Sequence, residues 1–119
     1  MSIHAVNVRD LESADAPGVK VLVDRIWPRG IKKTELGHDE WLKEAAPSTE
    51  LRKWFNHDPQ RFPEFARRYR TELEAAQSEA NADLVKLKKL VGEGDIVLLY
   101  SARDREHNQA VVLAEWLSS

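Results

Sequence analysis

The stretch that decides the fold is DIVLLYSARDREHNQAVVLAEWL, residues 95–117. Its apolar run IVLLY has no polar interruption, which is typical of a strand that is covered on both faces of a sheet. The polar loop ARDREHN comes next, and apolar residues then recur at helical spacing: Ala110, Val111, Leu113, Ala114 and Leu117. A buried strand, a polar loop and a helix in this order indicate an α/β fold.

Two further strands are predicted upstream of this unit. VKVLVD, residues 19–24, is a dense apolar run, and residues 3–8 alternate between apolar and polar positions. About ten residues connect these two strands, which is short for a helical crossover and favours antiparallel pairing. The long segment between residues 24 and 96 allows a parallel crossover. We therefore expect residues 19–24 and 96–100 to form adjacent, parallel inner strands.

Helices are predicted between the inner strands, because capping residues precede several amphipathic segments. The candidate starts are Asp39, Ser48 or Thr49, Pro63, and Asn81 or Asp83. The sequence as a whole predicts a single α/β domain over residues 1–119. Its sheet is expected to be mixed, with three to four strands and with helices packed over it.

Composition excludes several classes of protein. The 119 residues include 18 Lys plus Arg and 20 Asp plus Glu, for a net charge of -2, and no cysteine. Without cysteine there is no thiol nucleophile, thiolate zinc site, iron–sulfur cluster or disulfide framework. No apolar run approaches the ~20 residues of a membrane span, and the first residues lack the features of a signal peptide. We expect a cytoplasmic protein that does not contact membranes.

Two polar loops follow the inner strands, and both are candidates for a ligand site. If the strands are parallel neighbours, the loops share the rim where ligands bind in open α/β sheets. Forked arginine donors and the N-terminus of the last helix suit a small anion bearing phosphate or carboxylate. Alternatively, Asp24 pairs with an arginine and Asn108 only caps the helix. The candidate ligand-binding residues are Arg25, Trp27, Arg29, Ser101, Arg103 and Asn108.

Two histidines are candidates for acid and base chemistry. His57 precedes Asp58, and His107 follows Asp104 by three residues. A carboxylate beside an imidazole fixes its tautomer, as general acid–base catalysis requires. We expect His57 and His107 to face one cleft, where they and Asp104 would support hydrolase or transferase chemistry. No motif has the spacing of metal ligands, so neither a metal nor a cofactor is expected.

A second class of function comes from the blocks of basic residues along the chain. Residues 20–33 and 51–70 are both basic, and the second block contains Arg61, Arg67, Arg68 and Arg70. Such faces could belong to a nucleic-acid-binding or regulatory module. A converging positive concavity on a nearly neutral protein suits a small anion better than a long polyanion, so the small ligand ranks first.

Three segments carry a resemblance to a known family: VLVDRIWPRGIKK at residues 21–33, EWLKEAAPSTELRKWFNHDPQRFPEFARRYRTEL at 40–73 and LLYSARDREHNQAVVLAEWL at 98–117. In these segments the chain resembles the short, YeaO-like branch of the family called domain of unknown function 488. The resemblance implies a bacterial or archaeal, cytoplasmic, single-domain α/β protein. It implies no activity and no catalytic residues. Longer relatives carry cysteine in the last loop, where this chain has none.

Overall fold

A computed structural model describes residues 2–11 and 16–119, and a four-stranded sheet lies at its centre. The strands run in the order β1-β4-β2-β3, and each neighbouring pair is parallel. The small α/β architecture is thus confirmed. The bounds of the strands are Ile3–Asn7 for β1, Val19–Leu22 for β2, Glu40–Trp41 for β3 and Ile96–Tyr100 for β4.

The prediction of a mixed sheet is wrong, and so is the antiparallel pairing of the first two strands. β4 lies between β1 and β2 and pairs with both in parallel. All five of its residues are buried, as a strand covered on both faces requires. The short connection after β1 therefore joins two strands that are not neighbours, and its length does not force the chain to reverse.

Five helices accompany the sheet in the described part of the chain: α1 at Lys33–Leu36, α2 at Thr49–Phe55, α3 at Phe62–Ser78, α4 at Ala82–Glu93 and α5 at Gln109–Ser118. Side-chain caps begin three of them, at residues that the sequence indicated. Ser48, Asn81 and Asn108 each accept a hydrogen bond from a backbone N–H in the first turn. These bonds satisfy amide groups that a helix leaves without partners.

The helix predicted to start at Asp39 does not form. Its residues instead make strand β3 and a short 3-10 turn at Lys43–Ala45. The backbone of Asp39 donates to the Lys20 carbonyl at 2.8 Å, and its carboxylate accepts from the Lys20 amide at 2.8 Å. The Trp41 indole also donates to the Asp24 carbonyl at 2.7 Å. Pairing with β2 therefore outweighs the local helical preference of this segment.

The two faces of the sheet are covered differently. Helices α2 to α5 pack on one face and form the larger core with residues such as Phe65, Tyr69 and Leu113. The other face, around Leu22 and Leu99, is covered by shorter segments that include α1. No helix within the described residues is both long and apolar enough to cross a membrane.

Candidate functional site

The register between β2 and β4 brings two polar residues together at the strand ends. Val19 pairs with Ile96, and the same offset of 77 residues places Asp24 beside Ser101. The Asp24 carboxylate accepts from the Ser101 amide at 3.1 Å and from the Ser101 hydroxyl at 2.6 Å, both through Oδ2. The prediction that these two strands are adjacent and parallel is confirmed. Their loops share one rim of the sheet.

Asp24 is buried at this rim, with 8% of its surface exposed. Its second oxygen, Oδ1, accepts a hydrogen bond from the side-chain amide of Gln109 at 2.5 Å. Burial raises the pKa of Asp24, while hydrogen bonds from Ser101 and Gln109 and the charge of His57 act in the opposite direction. All three hydrogen bonds favour the ionised form of the carboxylate, but burial outweighs them, so the pKa of Asp24 lies above its ordinary value.

A cavity of about 120 Å³ lies beside this carboxylate. A cavity of this volume suits a small molecule. Carboxylate, guanidinium, imidazole, hydroxyl and amide groups share its wall with apolar side chains. The polar lining residues are Asp24, Arg25, Arg52, His57, Ser101 and Gln109, and the apolar ones are Ile26, Ala46, Pro47, Phe55, Phe65 and Ala102.

Arg25 lines the cavity, and most of its guanidinium is held by the protein. Its Nε donates to the Pro47 carbonyl at 2.8 Å, and Nη2 donates to the Ala46 carbonyl at 3.2 Å. Its Nη1 lies 3.5 Å from the exposed Glu44 carboxylate. Arg25 therefore ties the strand-end corner to the wall formed by residues 46 and 47, and its charge remains close to the cavity.

Arg52 contributes a guanidinium that pairs with none of the described residues. The residue lies on α2 and is half-buried, and it lines the cavity. Its Nε is buried, and no described residue accepts a hydrogen bond from it. A buried Nε–H without a partner is costly, and no described residue accepts a hydrogen bond from the other guanidinium donors, so this side chain is suited to an anion supplied from outside.

The two candidate histidines do not share the cavity. His57 lies in its wall, on a left-handed backbone with φ of 53°. Its neighbour Asp58 caps the following turn through Gln60 and lies 3.7 Å from Arg61, so it does not orient the imidazole. His107 lies outside the lining and packs edge-on against the Phe62 ring, with centroids 5.1 Å apart.

The predicted contact between His107 and Asp104 is present. His107 Nδ1 lies 2.8 Å from Asp104 Oδ2. The same carboxylate accepts from the backbone amides of Glu106 and His107, and these bonds lower the pKa of Asp104 together with the bond to the imidazole. The pair therefore shapes the loop before α5 and does not meet the cavity.

Four other predicted ligand-binding residues lie outside the cavity lining. The Trp27 indole donates to the Ile31 carbonyl at 2.6 Å and packs against Trp41. Arg29 and Arg103 are exposed. Asn108 caps α5 and donates to the Asp104 carbonyl at 3.0 Å, which is the structural role considered for it. Of the six predicted binding residues, the cavity therefore gathers only Arg25 and Ser101.

Sequence reasoning missed Arg52 and Gln109. Arg52 precedes the buried Phe55 by three residues on α2, a spacing that places two side chains on one helix face. Gln109 directly follows the cap residue Asn108, so it begins the helix that faces the strand ends. Each signal was present in the sequence, but neither separates a cavity residue from an exposed one.

The basic residues of α3 and the preceding turn are engaged in ion pairs. Arg67 and Arg68 lie 2.6 Å and 2.7 Å from Glu64, and these hydrogen bonds lower the pKa of Glu64 to about 2. Arg61 lies near Asp58, and Arg70 lies 3.4 Å from Glu115. This face therefore presents less free positive charge than its sequence indicates.

The described residues contain no group of three or more histidine and carboxylate side chains placed to hold a metal ion. The cavity wall also lacks such a group, since its only members of these types are Asp24 and His57.

Comparison with known proteins points to one group of relatives. A family model described as the inactive DUF488-N3 subclade matches residues 2–119. The uncharacterized protein YeaO of Escherichia coli is 44% identical over 121 residues, covering 100% of this chain and 99% of its own. The uncharacterized protein Rv3073c of Mycobacterium tuberculosis is 44% identical over 101 residues, covering 85% of this chain and 81% of its own. No solved structure matches.

Proposed function

Since this chain belongs to the inactive DUF488-N3 subclade, we propose that it is a binding protein that takes a small carboxylate or phosphate group into the cavity beside Asp24. The relatives named above are uncharacterized proteins, so the argument rests on the cavity itself. Three features support it: the charge of the wall, its unpaired guanidinium and its size.

The charge around the cavity favours an anion. Arg25 and Arg52 each bring a guanidinium to the wall, and Asp24 is the one carboxylate among its described lining residues. The Asp24 carboxylate bonds to Ser101 and Gln109, so it does not pair directly with either guanidinium.

The observation that carries the proposal is the unpaired guanidinium of Arg52. A carboxylate or phosphate offers two oxygens that match the fork of an arginine side chain, and such bonds are among the stronger ones in proteins. Contact with an anion would offset the cost of holding this charged group half-buried. The apolar side chains of Phe55 and Phe65 in the wall lower the local dielectric constant and so strengthen the same attraction.

Binding is favoured over turnover by the positions of the histidines. His107 has the carboxylate partner that general acid–base catalysis requires, but it lies outside the cavity lining. His57 lies in the lining, but Asp58 is engaged with Gln60 and Arg61. The description of the subclade as inactive agrees with a binding role. The ion pairs of α3 likewise favour a small anion over a nucleic acid.

The experiment is urea unfolding of the full chain in sodium acetate or sodium phosphate, with sodium chloride at equal ionic strength as the reference. A ligand that binds only the folded protein stabilises it by about 2.7 kcal/mol at one hundred times its Kd. Arg52→Gln removes a charge-assisted contact worth about 1.5–3 kcal/mol, which corresponds to roughly tenfold to hundredfold weaker binding.

Arg29→Gln is the matched control, because Arg29 is an exposed arginine outside the cavity lining. We expect it to keep the full stabilisation by acetate, whereas Arg52→Gln loses about half of it or more. Equal stabilisation of all three proteins would indicate a general salt effect and would contradict the proposal. If only Arg29→Gln loses the stabilisation by acetate, the anion binds at the outer rim of the sheet and not in the cavity.

A further inference from the structure

The Asp24 carboxylate has accepting capacity that the described residues do not fill. A carboxylate has about four positions at which it accepts hydrogen bonds. Oδ2 receives two bonds, from the amide and the hydroxyl of Ser101, and Oδ1 receives one, from Gln109. Because Ser101 and Gln109 line the cavity together with Asp24, the carboxylate lies at the cavity wall. The described residues therefore leave one acceptor position on Oδ1 without a donor.

The same cavity holds a donor without an acceptor. The Arg52 guanidinium lines it and has no hydrogen-bond or ion-pair partner among the described residues. One small space thus presents an unfilled acceptor of negative charge and an unpaired donor of positive charge. A ligand carrying only a carboxylate would pair with Arg52 but would be repelled by Asp24. A ligand carrying only a protonated amine would pair with Asp24 but would be repelled by Arg52.

We propose that the ligand is a small zwitterion, with a carboxylate that binds Arg52 and a protonated amine that donates to Asp24 Oδ1. This inference rests on the proposed function and names the class of its ligand. Glycine, alanine and similar short amino acids have this arrangement of charges, and their size suits a cavity of about 120 Å³. The side chains of Phe55 and Phe65 leave an apolar wall for a short aliphatic group.

The remaining charges near Asp24 are consistent with this assignment. Arg25 directs its Nε and Nη2 to backbone carbonyls, so its hydrogen bonds are largely used within the protein. His57 acts on Asp24 through its charge. Neither residue donates a hydrogen bond to Oδ1 in the described structure, which leaves that oxygen for the amine of a ligand.

The test is an NMR titration of the ¹⁵N-labelled full chain with glycine, sodium acetate and glycine betaine, followed at the Gln109 side-chain amide. Glycine betaine keeps both charges of glycine but has no N–H donor. On the wild-type protein we expect glycine to bind at least tenfold more tightly than acetate and glycine betaine, because only glycine can both pair with Arg52 and donate to Asp24.

Asp24→Asn supplies the second arm. It should remove the preference for glycine and tighten acetate binding, because the charge that repels a carboxylate is gone. If glycine binds the wild type no better than acetate, the zwitterion is wrong and the anion site stands. If none of the three ligands binds, the proposed function itself is wrong. The wild-type comparison decides the matter even if Asp24→Asn does not fold.

Discussion

Gly18→Ala is the change for which the structure gives the clearest magnitude. Gly18 has φ of +125°, and a Cβ built on it would lie 2.2 Å from the Asp95 carbonyl oxygen. Ordinary contacts begin at 3.4 Å, so the two chain segments would have to separate by more than 1 Å. The segments meet here through the hydrogen bond from the Val19 amide to the Asp95 carbonyl, at 3.0 Å. The substitution therefore acts on the first rung of the pairing between β2 and β4.

The expected cost combines two effects. Forcing a methyl group into a packed contact costs about 1–3 kcal/mol, and a residue other than glycine in this backbone region costs about 1–3 kcal/mol. Together they give about 2–6 kcal/mol, a large part of the 5–15 kcal/mol that stabilises a typical domain. Because one register joins Gly18 at one end to Asp24 and Ser101 at the other, ligand binding should weaken as well.

Urea unfolding measures the loss, and Gly37→Ala is the matched control. Gly37 also has a positive φ, of +72°, but nothing lies within 4 Å of a Cβ placed there. The stability of Gly37→Ala should therefore fall only by the strain of the left-handed conformation, about 1–2 kcal/mol. If Gly18→Ala is no more destabilising than Gly37→Ala, the contact with Asp95 does not determine the register, and this reasoning is wrong.

Three further predictions concern stability. Tyr69→Phe should cost about 1–2 kcal/mol in urea unfolding, because the buried hydroxyl donates to the Ala45 carbonyl at 2.5 Å; an unchanged midpoint would contradict this. Asn108→Ala should cost about 1–2 kcal/mol through loss of the α5 cap, and Asn108→Ser should recover part of it. Since burial raises the pKa of Asp24 in the folded state, its contribution to stability is present at acid pH and is lost as the pH rises through that raised pKa. The stability of Asp24→Asn relative to wild type should therefore improve from pH 4 to pH 7, and a constant difference would contradict the assignment.

Sequence patterns predicted the inner part of the fold well. The runs at residues 19–24 and 96–100 are almost wholly apolar and end in polar loops, and they contain the adjacent parallel strands. Patterns failed where pairing between distant segments decided the outcome. The segment after Asp39 has a helical pattern, but its backbone groups are used by Lys20 and Leu22 of β2. The position of β1 was also missed. It pairs with the fully buried strand β4 and not with β2, and the length of the connection between β1 and β2 does not reveal this.

The candidate site was predicted in outline only. Strand ends indicated the rim, and the rim holds Asp24, Arg25 and Ser101 around the cavity. Arg52 was not selected, because an arginine on an amphipathic helix usually lies in solvent and only packing of α2 against the rim brings it to the cavity. Nearness in sequence did identify the contact between Asp104 and His107, but it gave no information on how far that pair lies from the cavity.

The most direct test of the anion site is the response of the Arg52 Nε–H resonance to acetate in the ¹⁵N-labelled wild-type protein. The account predicts a saturable shift at Arg52, with accompanying shifts at the Ser101 amide and the Gln109 side chain, because these groups line one cavity. Arg29 and Arg103 should respond only as they do to sodium chloride. Saturable shifts confined to Arg29 and Arg103, or no saturable shift at Arg52, would contradict the account.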